Sequence, residues 1–335
     1  MKAAFRMIAA AGIAVLATGI AACSGADPHN SPGPLRASQA VAWKAPKAEA
    51  AVKVPAATST ANPNAPAPEV GLFIDGGAKW MENFAQHAGV QPGIALNFSG
   101  WDTSFMTSWA SEVTAAGATP LLQVALGNHA SDVSAIARGA DDSYLVSYAE
   151  AVRAFGHPVT LSFGHEMNGT WYSWGWKRLS PATFVTAWQH IVNVFREEGA
   201  TNVTWLWTVQ AYADSPRDTA NPAPWWPGSG YVDEVGVDGH YLYAGETFAK
   251  IFGQTLSDVR AITSKPILIA ETAISPKIGQ QAMLPDLFSG VKTQGLLGFV
   301  YFDTQGNADY RLQAPAVVAA FGAAAREYGY AGVNK

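Results

Sequence analysis

Eight short apolar runs, each followed by a longer stretch, set the strongest limit on how this chain can fold. Most of the runs are continuous rather than alternating, which is typical of parallel strands buried on both faces. Parallel strands need long crossover connections, and helices usually supply them. The predicted strands cover residues 70–74, 93–99, 119–125, 159–166, 203–209, 232–240, 265–272 and 296–303.

Helical patterns occupy most of the gaps between these runs. The clearest begins with Ser180 as N-cap and Pro181 at the first helical position, and it ends at Gly199. Phe184, Trp188 and further apolar residues keep one stripe along it. Other helices are predicted near residues 78–88, 103–116, 142–154, 247–262, 278–294 and 314–327.

The alternation of strands and helices predicts an α/β fold, a single (β/α)8 TIM barrel over residues 69–335. A doubly wound open sheet is the alternative. No glycine-rich phosphate loop follows the first run, which disfavours the nucleotide-binding versions of that alternative.

The N-terminus has the pattern of a bacterial export signal. Lys2 and Arg6 precede the apolar run MIAAAGIAVLATGIAA, and small residues then lead to Cys23. This pattern resembles a lipoprotein signal, which predicts that residues 1–22 are removed and that Cys23 is lipidated. The protein would then be lipid-anchored to the bacterial cell envelope. A secretory signal cleaved nearby, or an uncleaved anchor, is the alternative.

Residues 23–68 are dominated by Ala, Pro and small polar residues. Such a segment buries too little apolar surface to offset its ordering entropy. We therefore predict a disordered tether, extending roughly 3 Å per residue where it is polyproline-like. An Ala-rich helix, the alternative, is opposed by the many prolines.

Composition excludes several classes of function. Only 14% of residues are charged and the formal net charge is −5, which gives no basis for a nucleic-acid surface. The chain has one Cys, so an intrachain disulfide is impossible and the barrel has no thiol for chemistry. We expect a monomer without cofactor or metal.

Polar side chains collect where the predicted strands end. The active site of such a barrel lies at the carboxyl ends of its strands. Two of these residues, Glu166 and Glu271, follow apolar runs in which an acid has no structural purpose. The full set is Asp75, Trp101, Asp102, Gln123, His165, Glu166, Thr208, Gln210, Asp238, His240, Glu271 and Asp303.

A pair of carboxylates suits the hydrolysis of a glycosidic bond, which needs a proton for the leaving oxygen and a base or nucleophile at the anomeric carbon. The two groups stand about 5–5.5 Å apart in retaining enzymes and about 6.5–9.5 Å apart in inverting ones. Strands 4 and 7 face each other across a barrel mouth, so Glu166 and Glu271 could reach the shorter distance. The indoles after Glu166 could form a floor for sugar rings.

Three stretches resemble glycoside hydrolase family 26. They are HEMNGTWYSWGW at 165–176, AETAIS at 270–275 and YFDTQGNADYRL at 301–312. The resemblance spans about residues 70–325. It implies a (β/α)8 barrel and retaining hydrolysis of β-linked polysaccharide, most often β-1,4-mannan. Mixed-linkage β-1,3/1,4-glucan and β-1,3-xylan are the alternative substrates.

The resemblance also assigns roles residue by residue. It implies that Glu166 is the general acid/base and Glu271 the nucleophile. His165 matches a residue that orders the reacting sugar and the nucleophile, while Trp171 and Trp174 match aromatics beside the cleft. Tyr301 stands where relatives usually have a sugar-stacking Trp, and we also expect Trp101 to contact substrate.

One position departs from the family pattern. Relatives commonly read Asp-Gly-Tyr after strand 6, and the Tyr hydroxyl holds the nucleophile. Here His240 occupies that position and Tyr241 follows it. Either the imidazole donates the same hydrogen bond, or Tyr241 takes the place after a local shift. We expect both His240 and Tyr241 to contact substrate.

Simpler structural explanations stay open for several of these residues. Trp171 and Trp174 could be core, and the Asp residues at the strand ends could cap helices. Trp205 and Trp207 share one strand face that could line the cleft, whereas the loop residues Trp225 and Trp226 could form a lid or a plug against the helices. HEMNG begins like the zinc motif HExxH, but Gly169 replaces the second His.

Two other functions compete with hydrolysis. The first is a carbohydrate-binding barrel without turnover, which the His240 substitution favours. The second is a structural envelope lipoprotein, which would not need two acids in the barrel mouth.

Overall fold

The computed structural model of the chain describes residues 66–74, 78–127, 130–212, 217–305 and 309–333. Eight parallel strands close into a barrel in sequence order, because β8 pairs with β1. This closure confirms the predicted TIM barrel and excludes the open sheet. The strands are β1 (Glu69–Ile74), β2 (Ile94–Ser99), β3 (Thr119–Val124), β4 (Val159–Phe163), β5 (Val203–Gln210), β6 (Glu234–Asp238), β7 (Ile267–Thr272) and β8 (Gly298–Asp303).

Helices surround the barrel on the connections between strands. The helix between β4 and β5 begins as predicted, since the Ser180 hydroxyl accepts a hydrogen bond from Thr183 N at 3.1 Å and Pro181 is the first helical residue. The helices are α1 (Ala78–Ala88), α2 (Thr107–Ala115), α3 (Ala130–Ile136), α4 (Asp142–Phe155), α5 (Pro181–Glu197), α6 (Phe248–Ile262), α7 (Gln280–Thr293) and α8 (Pro315–Glu327).

The connection from β5 to β6 has only a short 3₁₀ turn, Ala223–Trp225, in its described part. Trp225 is buried in this turn, and Trp226 packs edge-on against Trp207 of β5 at 5.1 Å between ring centroids. The two indoles therefore fill space that a helix would occupy elsewhere in the barrel. Of the two possibilities for this pair, a lid or a plug, the structure shows a plug.

The barrel has two apolar layers, one inside the strands and one between strands and helices. Leu96, Phe98, Leu206 and Phe302 belong to the small inner cluster. The larger outer cluster includes Trp205 and Trp207, so neither of these indoles lines the cleft. Alternate residues of a strand point to opposite faces, which assigns each strand-end side chain either to the barrel mouth or to the helix layer.

The predicted signal peptide and the site of lipidation, Cys23, lie outside the described residues, as does the tether up to residue 65. Pro68, placed in the tether from sequence, is buried, and its carbonyl accepts a hydrogen bond from Ala331 N at 2.9 Å. Within the described ranges, every helix is too short or too polar to cross a membrane.

Candidate active site

The segment after β4 turns sharply because two of its residues have left-handed backbone conformations. Gly164 has φ +60°, and a Cβ there would lie 2.5 Å from Leu126 Cδ1, so only glycine fits. Glu166 has φ +55°, a strained conformation for a residue with a side chain. Its backbone N–H donates to Thr208 O at 2.9 Å, which fixes the turn to the end of β5. Among the described residues other than glycine, only Asp102 and Lys177 share this left-handed conformation, and Glu166 is the buried one of the three.

The Glu166 carboxylate is buried and held by an indole. Its exposed fraction is 1%, and Trp171 Nε1 donates to its Oε2 at 2.6 Å. The Trp171 ring can approach because residue 169 is glycine: a Cβ on Gly169 would lie 2.4 Å from the ring. Trp171 thus acts on the carboxylate through its N–H, in addition to any contact with a sugar.

Asn168 ties the same turn to the β5–β6 connection. It is fully buried, and its amide donates to Gln210 O at 2.9 Å and to Ala220 O at 3.0 Å. Its Oδ1 accepts from Gln210 N at 2.8 Å. Three hydrogen bonds to backbone therefore offset the strain next to Glu166. Sequence analysis assigned Asn168 no role, although it lies inside the HEMNG motif.

Glu271 lies on β7 and is 3% exposed. Its Oε1 lies 3.2 Å from Nε2 of His240, and both side chains are buried. The backbone keeps the two strand ends together, since Gly239 N donates to Glu271 O at 3.0 Å. Of the two side chains considered for this position, the imidazole is therefore the one that lies beside the Glu271 carboxylate.

Tyr241 is not an alternative partner for Glu271. It is fully buried on the helix side, where its hydroxyl donates to Asp286 Oδ2 of α7 at 3.0 Å. The prediction that Tyr241 contacts substrate is therefore wrong, because its side chain lies away from the cleft. A strand residue and its successor point to opposite faces, so His240 and Tyr241 cannot both enter the mouth.

A third carboxyl, Asp238, lies within reach of both glutamates. Burial raises its pKa well above the usual range, and the charges of Glu166 and Glu271 raise it further; His240 and a hydrogen bond from Gln123 oppose this shift. The pKa of the Tyr172 hydroxyl is also raised, first by burial and then by the charges of Glu166, Glu271 and Asp238. Because charges affect a pKa only over short distances, these effects agree with the contacts that bring the ends of β4, β6 and β7 together.

His165 is positioned by two aromatic residues. Its Nε2 lies 3.0 Å from the Tyr172 hydroxyl, and Trp174 Nε1 donates to its carbonyl at 2.8 Å. Tyr172 and Trp174 stack with ring centroids 4.3 Å apart and planes 8° apart. Burial lowers the pKa of His165 to about 3, so the imidazole is neutral near pH 7. Sequence analysis missed Tyr172 because it considered only the indoles of this row.

Several predicted substrate contacts lie outside the pocket. Trp174 is 3% exposed and packs under His165, so it supports the site without offering a free face. Tyr301 is fully buried, packs edge-on to Phe321 of α8, and donates to Tyr310 O at 3.1 Å. Its neighbours in β8, Val300 and Phe302, belong to the inner cluster, so Tyr301 must point to the helices. The structure therefore does not place Tyr301 where it could stack on a sugar.

The remaining strand-end residues have varied positions. Trp101 is partly buried and packs on Tyr144 of α4, with ring centroids 4.8 Å apart. Asp303 points to the helix layer and accepts from Leu312 N at 2.6 Å, so it orders the β8–α8 connection. Asp102 is exposed, and Asp75 lies outside the described residues.

Curated proteins and solved structures resemble this chain. Endoglucanase H from Acetivibrio thermocellus is 27% identical over 258 residues, which are 72% of this chain and 28% of that protein. Mannan endo-1,4-β-mannosidase A and B from Caldalkalibacillus mannanilyticus is 28% identical over 92 residues, which are 25% of this chain and 17% of that protein. A GH26 β-mannanase structure from Bacteroides ovatus has a TM-score of 0.58 at 15% identity, covering 80% of this chain and 88% of that one.

The chain thus spans less than a third of the length of these two curated relatives. The model of glycosyl hydrolase family 26 matches residues 113–306, which include the turn after β4, the β6 and β7 ends and the start of the β8–α8 connection. With the closed barrel and two buried glutamates at the ends of β4 and β7, this match shows that the chain belongs to glycosyl hydrolase family 26.

Proposed function

We propose that this protein is a retaining endo-β-glycanase in which Glu166 is the general acid/base and Glu271 the nucleophile. The observation that carries the proposal is the pair of buried glutamates in one pocket with different partners. An indole N–H at 2.6 Å holds Glu166, whereas an imidazole at 3.2 Å faces Glu271. Different surroundings suit different roles for two chemically identical groups.

In the first step, the Glu271 carboxylate attacks the anomeric carbon and forms a glycosyl ester. The glycosidic C–O bond breaks, and Glu166 gives its proton to the leaving oxygen. The Trp171 N–H stabilises the negative charge that develops on Glu166 as the proton leaves. A neutral His165 at the base of the pocket can hold a sugar hydroxyl by hydrogen bonding without adding charge.

In the second step, Glu166 removes a proton from water, and the water oxygen attacks the anomeric carbon of the ester. The C–O bond to Glu271 breaks, so the sugar is released with its original configuration. Esterification removes the charge of Glu271, and loss of that like charge favours ionised Glu166. Glu166 can therefore act as an acid first and as a base second.

β-1,4-Mannan is the proposed substrate. A relative named a mannan endo-1,4-β-mannosidase supports it. The broader match to a relative named an endoglucanase makes β-1,4-linked or mixed-linkage glucan the principal alternative. β-1,3-Xylan remains a further candidate.

A purified chain should be incubated with β-mannan, mixed-linkage β-glucan and β-1,3-xylan while new reducing ends are measured. We expect release from one of these polymers by the unsubstituted protein and by Glu112→Ala, an exposed control on α2. Glu271→Ala should release nothing. Proton NMR of the fresh product should show the β anomer first.

Azide distinguishes the roles of the two glutamates. With an activated aryl glycoside, azide should restore turnover of Glu271→Ala and give the α-glycosyl azide, because it attacks from the face that Glu271 leaves empty. With Glu166→Ala it should give the β-glycosyl azide, because it replaces water in the second step. Normal hydrolysis by Glu271→Ala would refute the assignment, and polymer binding without any cleavage would indicate a binding barrel.

We also propose export and lipid anchoring through Cys23, on the strength of the signal pattern alone. Labelled palmitate supplied to cells should enter the unsubstituted protein and not Cys23→Ala. A membrane-free, unlabelled protein would refute the proposal.

A further inference from the structure

Asp238 and Gln123 face each other inside the barrel. Asp238 ends β6 and Gln123 lies on β3, strands that are not neighbours in the sheet. Gln123 Nε2 nevertheless lies 3.5 Å from Asp238 Oδ2, so both side chains must point to the barrel axis. Each has an exposed fraction of 0%.

The remaining oxygens of this pair have no donor. Asp238 Oδ1 and Gln123 Oε1 are both buried, and the described residues offer neither of them a hydrogen bond. An amide oxygen and a carboxylate oxygen are both acceptors, so they cannot bond to each other. If Asp238 carries a proton, its O–H can donate to Gln123 Oε1 while its other oxygen accepts from Gln123 Nε2. The two side chains would then provide each other with the hydrogen bonds that they lack.

We propose that Asp238 is held protonated by its pairing with Gln123, as a neutral positioning residue beneath the two catalytic glutamates. The Gln123–Asp238 pair connects β3 to β6 across the interior of the barrel. It fixes the strand end that carries His240, two residues further on. Through His240, it orients Glu271.

The charges around Asp238 favour the same state. Glu166 follows β4, Glu271 lies on β7, and Tyr172 faces the pocket from the loop after β4. Burial and both glutamate charges raise the Asp238 pKa, while His240 and Gln123 only partly oppose that shift. Ionising Asp238, whose exposed fraction is 0%, would place another negative charge beside Glu271 without solvation by water.

The proton also matters for the reaction, and this step rests on the proposed function. The switch of Glu166 from acid to base depends on the disappearance of the Glu271 charge when the ester forms. A permanent charge on Asp238 would keep Glu166 protonated in the ester and slow the attack of water. If Asp238 is neutral, the protonation state of Glu166 depends on the charge of Glu271 and not on that of Asp238.

Infrared spectroscopy tests the protonation state without any need for activity. The protein, labelled with aspartate carrying ¹³C at the side-chain carboxyl, should show the C=O stretch of a protonated acid at pH 8. The band should be absent from Asp238→Asn and present in Asp303→Asn, a second buried carboxyl that serves as the control. Asp303 is ionised at pH 8, because burial raises its pKa only to about 6.

Gln123→Leu gives a second measurement if Asp238→Asn does not fold. Removing the amide acceptor should move the acid band to higher frequency, since a hydrogen-bonded acid absorbs lower than a free one. Absence of an aspartic acid band in the unsubstituted protein at pH 8 would overturn the proposal. So would a band that Gln123→Leu leaves unchanged.

The pH profile separates positioning from general structural damage. Asp238→Asn can keep a neutral amide pair with Gln123, so both pH limits of kcat/KM should stay in place even if the value of kcat/KM falls. An alkaline limit moved by one pH unit would mean that Asp238 carries a charge. If no polymer is cleaved at all, the proposed function fails, while the infrared result still decides the state of Asp238.

Discussion

Replacing Trp171 with Phe removes one N–H donor and keeps an aromatic ring in place. The donor lies 2.6 Å from Glu166 Oε2, where it stabilises the charge that appears as Glu166 releases its proton. A hydrogen bond to a charged group contributes about 1.5–3 kcal/mol, which corresponds to about 10- to 150-fold in rate. We expect kcat/KM to fall by that factor for substrates that need protonation.

The assay compares two aryl glycosides with the same sugar part and different leaving groups. A dinitrophenolate leaves without a proton, whereas a simple phenolate needs one from Glu166. Trp171→Phe should slow release of the poor leaving group and leave release of the good one nearly unchanged. Trp176→Phe, in the same aromatic row and partly buried, is the control and should alter neither.

Equal losses with both leaving groups would refute the reasoning. They would mean that Trp171 acts by stacking on the sugar, which both substrates share. No loss with either would mean that the 2.6 Å contact does not persist in the transition state.

Three further predictions follow from the same geometry. Asn168→Ala removes the hydrogen-bond partners of backbone groups of Gln210 and Ala220. The free energy of unfolding, measured in urea, should therefore fall by about 3–5 kcal/mol. A decrease below about 1 kcal/mol would contradict this prediction. Burial raises the Asp303 pKa to about 6 from 3.8, so its stabilisation is complete below pH 4 and lost as pH rises through 6. Between pH 4 and pH 6, the free energy of unfolding of the unsubstituted protein should therefore fall by roughly 3 kcal/mol relative to that of Asp303→Asn. If the free energies of the two proteins depend on pH in the same way, the pKa shift is refuted. Tyr243 is 67% exposed and follows His240 by three residues, so Tyr243→Ala should raise KM for long polymers about 3- to 10-fold without changing thermal stability. Tyr243→Phe keeps the ring and should leave KM unchanged. An unchanged KM for Tyr243→Ala would show that no sugar contacts this residue.

The barrel could be predicted because its signal is repeated eight times. Each strand needed only a continuous apolar run, and small errors at the ends, such as 232–240 against Glu234–Asp238, did not alter the order. The two glutamates were visible for a related reason. An ionisable group at the end of an apolar strand is costly to bury without a partner, so its presence there is informative.

The direction of individual side chains could not be predicted with the same success. Strands buried on both faces are apolar at every position, so the sequence does not show which alternate set points inward. The family resemblance assigned Tyr301 to the cleft and made Tyr241 the alternative to His240, and both tyrosines face helices. The Gln123–Asp238 contact was equally hidden, because it joins two strands that are far apart in sequence and not adjacent in the sheet.

The left-handed conformation of Glu166 connects the local sequence to the chemistry. Strain of this kind costs on the order of 1–3 kcal/mol and persists only where surrounding contacts enforce it. Here the contacts are the Glu166 N–H bond to Thr208 O and the three bonds of Asn168. All of them are made to β5 or to the connection that follows it, so the strand next to β4 supplies the restraint. The same turn brings Trp171 over Gly169 to reach the carboxylate. The residues of the HEMNGTW segment therefore act together. Gly169 leaves room for the Trp171 indole, and the hydrogen bonds of Asn168 hold the turn. As a result, the Glu166 carboxylate is fixed in the pocket that it shares with Glu271.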